Sequence, residues 1–303
     1  MRAIGFAAAL FAMLLAGAAS SQQSGGPALA TTPAAATPPA TTPSTGGAGG
    51  GNLVPDLGGG NLGSAGGPVE IDASEGIEWR RDENVYIARG NARAARGDTS
   101  ISADSLIAHY REDGTGKTAI YMVEALGHVV VVSKDTRIVG DRAVYNLDKG
   151  SAIITGGNLR ASSKDQYVTA RDSLEYWEKE GAIVARGKAV AATAQQEVKA
   201  DLLTGYLHLD KTGAKKLYQV EATGNVLLSG KGSVARATKA IYNMDSDIAT
   251  LDGGVKITRG KNQINGEHAI YNLKTGQAKI TGGGSQVKTL LVPGSDSGGP
   301  LAP

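Results

Sequence analysis

The feature that most constrains this chain is a return at one fixed spacing. Gly90 and Gly187, Gly127 and Gly224, and Gly156 and Gly253 are each 97 residues apart. Their surroundings return with them: Ile87-Ala88-Arg89-Gly90-Asn91-Ala92 reappears as Val184-Ala185-Arg186-Gly187-Lys188-Ala189, and Ile77-Glu78-Trp79 as Leu174-Glu175-Tyr176. Ala143-Val144-Tyr145-Asn146-Leu147-Asp148 comes back as Ala240-Ile241-Tyr242-Asn243-Met244-Asp245. A partial third copy follows at Ala269-Ile270-Tyr271-Asn272-Leu273 and Ile280-Thr281-Gly282. One offset kept at several sites marks a tandem duplication, in which similar units bury their faces against one another.

The texture of the repeats says what the units are. Residues 69–292 contain no proline, and short runs there alternate apolar with polar side chains. Ala143, Tyr145 and Leu147 fall on one face while Arg142, Val144 and Asn146 fall on the other, the period of a half-buried strand. Glycine-bearing clusters such as Asp148-Lys149-Gly150, Asp210-Lys211-Thr212-Gly213 and Lys274-Thr275-Gly276 supply reversals. About 16 strands of ordinary length fit into the body. The expected class is all-β: a sandwich, jelly roll or solenoid. The glycine units lie 37, 29 and 31 residues apart from Gly90 to Gly187, much wider than a hexapeptide β-helix.

Both ends differ from this body. Met1-Arg2 precedes an apolar run, Ala3 to Ala16, and then small residues, the pattern of a cleavable secretory signal over residues 1–20. The run is shorter than the ~20 residues of a membrane-spanning helix. Residues 21–68 hold seven of the ten prolines, and Asp56 is their only charge, so the segment is expected to be a disordered Ala/Thr/Gly/Pro-rich linker. Residues 285–303 are expected to be a disordered tail. With no cysteine in the chain, disulfides, thiol chemistry and lipid attachment through a cysteine are excluded. A formal net charge of +2 gives no field for drawing in nucleic acid.

Motifs that look chemical do not hold up. Gly114-Thr115-Gly116-Lys117-Thr118 ends like a phosphate loop, but Arg111 stands where the first glycine is required. Asp296-Ser297-Gly298-Gly299-Pro300 is similar to the nucleophile segment of trypsin-like proteases, yet Ser295 replaces the leading glycine and the chain ends too soon. The histidines His109, His128, His208 and His268 show no metal-ligand spacing, so no metal and no cofactor are expected. Lys164, Arg171, Lys215, Lys216 and Arg236 are candidates for meeting phosphate groups.

In series, the repeats carry a resemblance. Ala88-Arg89-Gly90-Asn91 with Ala103-Asp104-Ser105-Leu106, Gly140-Asp141-Arg142-Ala143-Val144-Tyr145, Ala222-Thr223-Gly224-Asn225-Val226 and Gly266-Glu267-His268-Ala269-Ile270-Tyr271 resemble the OstA-like repeats of the LptA family of periplasmic lipopolysaccharide-transport proteins. The resemblance spans about 69–284 and implies an elongated, twisted open β-jelly roll whose sheets enclose an apolar slot for acyl chains. It divides the body into a first block, 69–165, and a second, 166–284, with the partial third copy. It also implies non-catalytic carriage of lipopolysaccharide between inner-membrane and outer-membrane transport components, with head-to-tail self-association through the strands near Val69 to Trp79 and Ile264 to Ile280. The chain departs from the family's simple members in its longer body, its N-terminal arm and the drift at Leu251-Asp252-Gly253-Gly254.

The apolar members of alternating strands are the candidate lipid-binding residues: Val85, Ile87, Leu106, Val129, Val131, Ile138, Tyr145, Ile154, Val226, Leu228, Tyr242 and Ile257. Apolar surface leaving water contributes roughly 25 cal/mol per Å², so such a slot needs no dedicated polar site. Periodicity does not distinguish a lipid-lined face from an ordinary core. A structural envelope scaffold that binds no lipid therefore stays open beside the transport reading. A secreted hydrolase is weaker, since no carboxylate pair or nucleophile group recurs.

Overall fold

The computed structural model describes residues 70–96, 99–112, 118–133, 135–210, 215–230, 232–272, 274–275 and 277–292. The expected signal, the 21–68 arm, most of the phosphate-loop lookalike and the protease-like segment lie outside these residues. The described chain is all β. Its strands are β1 (Glu70–Asp72), β2 (Gly76–Arg80), β3 (Val85–Arg96), β4 (Thr99–Glu112), β5 (Thr118–Ser133), β6 (Thr136–Asn146), β7 (Ser151–Thr155), β8 (Arg160–Ser163) and β9 (Gln166–Thr169). They continue with β10 (Ser173–Trp177), β11 (Ala182–Thr193), β12 (Gln196–Leu209), β13 (Lys215–Gly230), β14 (Ser233–Asn243), β15 (Ile248–Arg259), β16 (Asn262–Asn272), β17 (Gln277–Thr281) and β18 (Lys288–Leu290).

The duplication is exact at strand level. Both boundaries of β3, β4, β5 and β6 recur 97 residues on as those of β11, β12, β13 and β14. Successive long strands pair antiparallel, and all 18 strands belong to one sheet. The blocks join by the same kind of ladder: β7 pairs β10, with Ile154 opposite Leu174, and β8 pairs β9, with Ala161 opposite Val168. Two broken strands, β7–β8 and β9–β10, thus lie side by side where the copies meet. The terminal strands are broken in the same way, β1 and β2 both on β3, and β17 and β18 both on β16.

Two expectations need correcting. Many strands are long, up to 16 residues in β5 and β13, because each crosses the molecule in one run with an irregularity at mid-length. The expected tail from 285 begins inside the sheet, with β18 paired to Gln263–Asn265. The break at Gly282-Gly283-Gly284 separates two pieces of one strand, as Gly156-Gly157 separates β7 from β8.

The mid-strand irregularities line up into a crease. Between Arg89 and Ala92 the ladder slips, leaving Gly90-Asn91 opposite Asp104; Gly127-His128 likewise faces Asp104 on one side and Asp141 on the other. The line continues through Gly156, Asp172, Gly187, Asp201, Gly224, Thr238, Gly253 and Glu267. Such bulges bend and twist a sheet. At Gly127, φ is +76°, which favours glycine, and an added Cβ would lie 2.0 Å from Asp104 Oδ2, so a side chain there would have to push the Asp104 carboxylate aside. The fold is an elongated, creased jelly roll in which each long strand contributes to both half-sheets and each short one to a single half.

Candidate functional site

Residues directly opposite on antiparallel strands share a face, so the register defines rows running the length of the molecule. On the first half-sheet one inner row reads Ile77, Ala88, Leu106, Ala125, Ala143, Ile154, Leu174, Ala185, Leu203, Ala222, Ala240, Leu251, Ala269, Ile280. Across the crease a second row reads Ile71, Ala94, Ile101, Val131, Ile138, Ala161, Val168, Ala191, Val198, Leu228, Ala235, Ile257, Ile264. Every one of these residues is apolar; the second row then ends on Thr289 of β18, opposite Ile264. The rows pack together: Leu203, Ala222 and Leu251 share one buried cluster with Val198, Leu228 and Ile257. A second cluster holds Leu106, Ala125 and Ile154 with Val131 and Ile138, and Leu174 packs against both. Alanine recurs in each row, which leaves the interior thin.

Burial falls off at the ends. Leu203 in the middle is wholly buried, whereas Ile77 and Ile71, first in their rows, are 57% and 44% exposed. Beside Ile77, Trp79 is half exposed and donates from Nε1 to the Tyr110 hydroxyl at 2.8 Å.

Of the sequence-derived candidates, Leu106, Val129, Val131, Ile138, Ile154, Val226, Leu228 and Ile257 are buried in the two clusters. Tyr145 and Tyr242 are half-buried in the next inner row outward from the crease, Tyr242 donating to Asp247 Oδ1 at 2.8 Å. Val85 and Ile87 are buried but lie on the other face of β3 from Ala88, because a one-residue step along a strand changes face. Sequence reasoning missed Leu174, Leu203 and Leu251. The 97-residue offset from Ile77, Leu106 and Ile154 leads directly to all three.

The outer face is held by a repeated ion pair. Glu124 accepts from Arg142, Glu175 from Arg186 at 2.9 Å and Glu221 from Lys239 at 2.6 Å. Hydrogen bonding from Arg142 holds the Glu124 carboxyl below its ordinary range. Burial would raise that of Glu175, but the bonds from Arg186, Ser173 and Trp177 outweigh it and the net shift is downward. The histidines are used one at a time, His109 on Glu124, His128 on Asp104 and His268 on Asp252. Four of the five candidate phosphate-binding cations already have carboxylate partners: Lys164 with Asp135, Arg171 with Asp172, Lys215 with Glu178 and Lys216 with Asp245.

A family model described as LptA/(LptD N-terminal domain) LPS transport protein matches residues 70–181 and again residues 167–277. The chain belongs to this family. The role of the LptA/LptD N-terminal family is lipopolysaccharide transport, and the two matches follow the duplication, meeting where β9 and β10 lie. Among solved structures the chain is similar to LptH, the LptA-homologous periplasmic component of the lipopolysaccharide transport device of Pseudomonas aeruginosa. The identity is 21%, covering 42% of this chain and 95% of that one, with a TM-score of 0.35. No curated protein matches the chain.

Proposed function

We propose that this chain is a periplasmic, non-enzymatic carrier that holds the acyl chains of lipopolysaccharide against its two inner apolar rows and passes the lipid from inner-membrane to outer-membrane transport components. The observation that carries the reading is the continuity of both rows through the β7–β10 and β8–β9 junction, at Ile154–Leu174 and Ala161–Val168. A scaffold needs a dry core in each block but no apolar path between blocks. The lipid-facing set is then Leu106, Val129, Val131, Ile138, Ile154, Val226, Leu228 and Ile257, with Tyr145 and Tyr242 above them and Leu174, Leu203 and Leu251 added. Residues 1–20 serve as the export signal and 21–68 as a tether to the two blocks. The test is mass spectrometry of the chain purified from the periplasm without detergent. Carriage predicts a co-purifying acylated saccharide, while folded protein free of lipid favours the scaffold.

The ends support a bridge of several copies or related domains. An unpaired strand edge recruits another backbone. If β17–β18 of one copy met β1–β2 of the next in the register of the internal junction, Ile280 would face Ile77. Lys279 would face Glu78, and Lys288 would face Asp72. Both charged pairings are complementary, and the first apolar row would run on into the neighbouring copy, while in the second Thr289 would face Ile71.

A further inference from the structure

Buried polar side-chain atoms in native proteins nearly always have partners. Among the described residues three do not: Gln166 Oε1, Ser233 Oγ and the Tyr271 hydroxyl. All three occupy equivalent places. Each lies on the inner face, two residues beyond a member of an apolar row and on the side away from the crease: Gln166 beyond Val168, Ser233 beyond Ala235, Tyr271 beyond Ala269. On the second half-sheet the register extends this position into a polar row that includes Ser133, Thr136, Ser163, Gln166, Ser233 and Asn262. Ser133, Thr136, Ser233 and Asn262 are each 6% exposed or less, although they stand at strand ends beside hairpins. Going outward from the crease on this half-sheet, the interior is therefore apolar first and hydrogen-bonding second. There the outer row is mainly hydroxyl and amide, with Arg259 opposite both Ser233 and Asn262; on the first half-sheet tyrosine recurs at Tyr145, Tyr176, Tyr242 and Tyr271 between alanine, valine and isoleucine.

We propose that these outer rows form a neck-binding site, in which Gln166, Ser233 and Tyr271 hydrogen-bond the amide, ester and hydroxyl groups at which the acyl chains of an acylated amino sugar join. This rests on the reading that acyl chains lie along the inner rows, and it specifies which amphiphile the interior selects. A single-chain fatty acid fills the apolar rows but brings only a carboxylate to the neck. An acylated amino sugar brings N–H and O–H donors, which Gln166 Oε1 requires, together with carbonyl acceptors for the hydroxyls of Ser233 and Tyr271. The three atoms are the places that a ligand group completes, because leaving a buried donor or acceptor unpaired is costly in the empty protein.

The test uses the full chain and its Gln166→Met/Ser233→Ala/Tyr271→Phe variant, with purified lipid A and myristate as the two probes. Each substitution removes an unpartnered atom, so the empty variant should melt at or above the wild-type temperature. It should bind lipid A about tenfold more weakly than wild type, each lost hydrogen bond costing a few-fold, and bind myristate equally well. Equal lipid A affinity in variant and wild type would overturn the neck site and leave carriage standing. A clearly lower melting temperature of the empty variant would also overturn it, since the three atoms would then already be satisfied. Wild type that binds neither probe would overturn carriage, and the neck site with it.

Discussion

Asp104 faces Gly127 across the β4–β5 ladder so closely that a Cβ added at position 127 would lie within 3.0 Å of the Asp104 Cβ, Cγ and Oδ2, and the same relationship recurs between Asp201 and Gly224, 97 residues on. The crease depends on these pairs, because the bend occurs where both Gly127 and His128 take positive φ. Gly127→Ala should therefore destabilise the protein by more than the ~1–2 kcal/mol that left-handed backbone alone costs an L-residue. Gly232 supplies the control: its φ is also +76°, but an added Cβ meets nothing within 4 Å. Urea midpoints should fall further for Gly127→Ala than for Gly232→Ala, and equal losses would remove the close approach as the cause.

Leu203 is wholly buried where the two inner rows pack, whereas Leu209, on the same strand, is 66% exposed. Leu203→Ala should cost about 2–5 kcal/mol, as buried leucine truncations do. Leu209→Ala should stay within ~0.5 kcal/mol. Equilibrium unfolding of both variants checks the row assignment, and a reversed order would refute it.

Glu175 and Glu124 make stability depend on acid. Each carboxyl titrates lower in the folded chain than when unfolded, so its contribution is present above the ordinary carboxylate value of about 4.3 and is lost as pH falls through the folded value. Thermal stability of the wild type should drop below about pH 4. Glu175→Gln should be less stable at neutral pH and lose part of that acid dependence, since it leaves Arg186 without its carboxylate. An unchanged pH profile in Glu175→Gln would show that the pair contributes nothing.

The register copied from the internal junction places Glu78 of one copy against Lys279 of the next. The chain has no cysteine, so Glu78→Cys/Lys279→Cys offers a clean pair for a short bis-maleimide cross-linker. A ladder of dimers and higher species should form, while Glu78→Cys/Lys256→Cys, out of register, should give none. Equal ladders from both variants, or none from either, would count against end-to-end pairing in this register.

Much of the fold was legible in the sequence because a duplication repeats its signals: glycine positions, the Tyr145 and Tyr242 strands and the block spacing all recur at one offset. Strand length was not legible. Gly90, Gly127, Gly187 and Gly224 have the composition of turns, yet they sit within continuous strands, because a bulge and a turn both use positive φ at glycine. Face assignment failed at Val85 and Ile87, where apolar residues occupy the side of β3 opposite Ala88 and alternation has no absolute phase. The polar outer row was missed because Ser133, Thr136 and Ser233 flank hairpins, where serine and threonine ordinarily face water.

Lipid in the interior is the central claim, and photo-crosslinking in the full chain tests it most directly. A photoreactive residue is placed at Val131 in the first block or Leu228 in the second, both buried in the inner row, and at Arg137 or Lys199, both exposed on neighbouring strands. With lipopolysaccharide present, carriage predicts adducts at Val131 and Leu228 and none at Arg137 or Lys199. Adducts at none of the four, in protein shown to be folded, would contradict carriage and leave a structural scaffold.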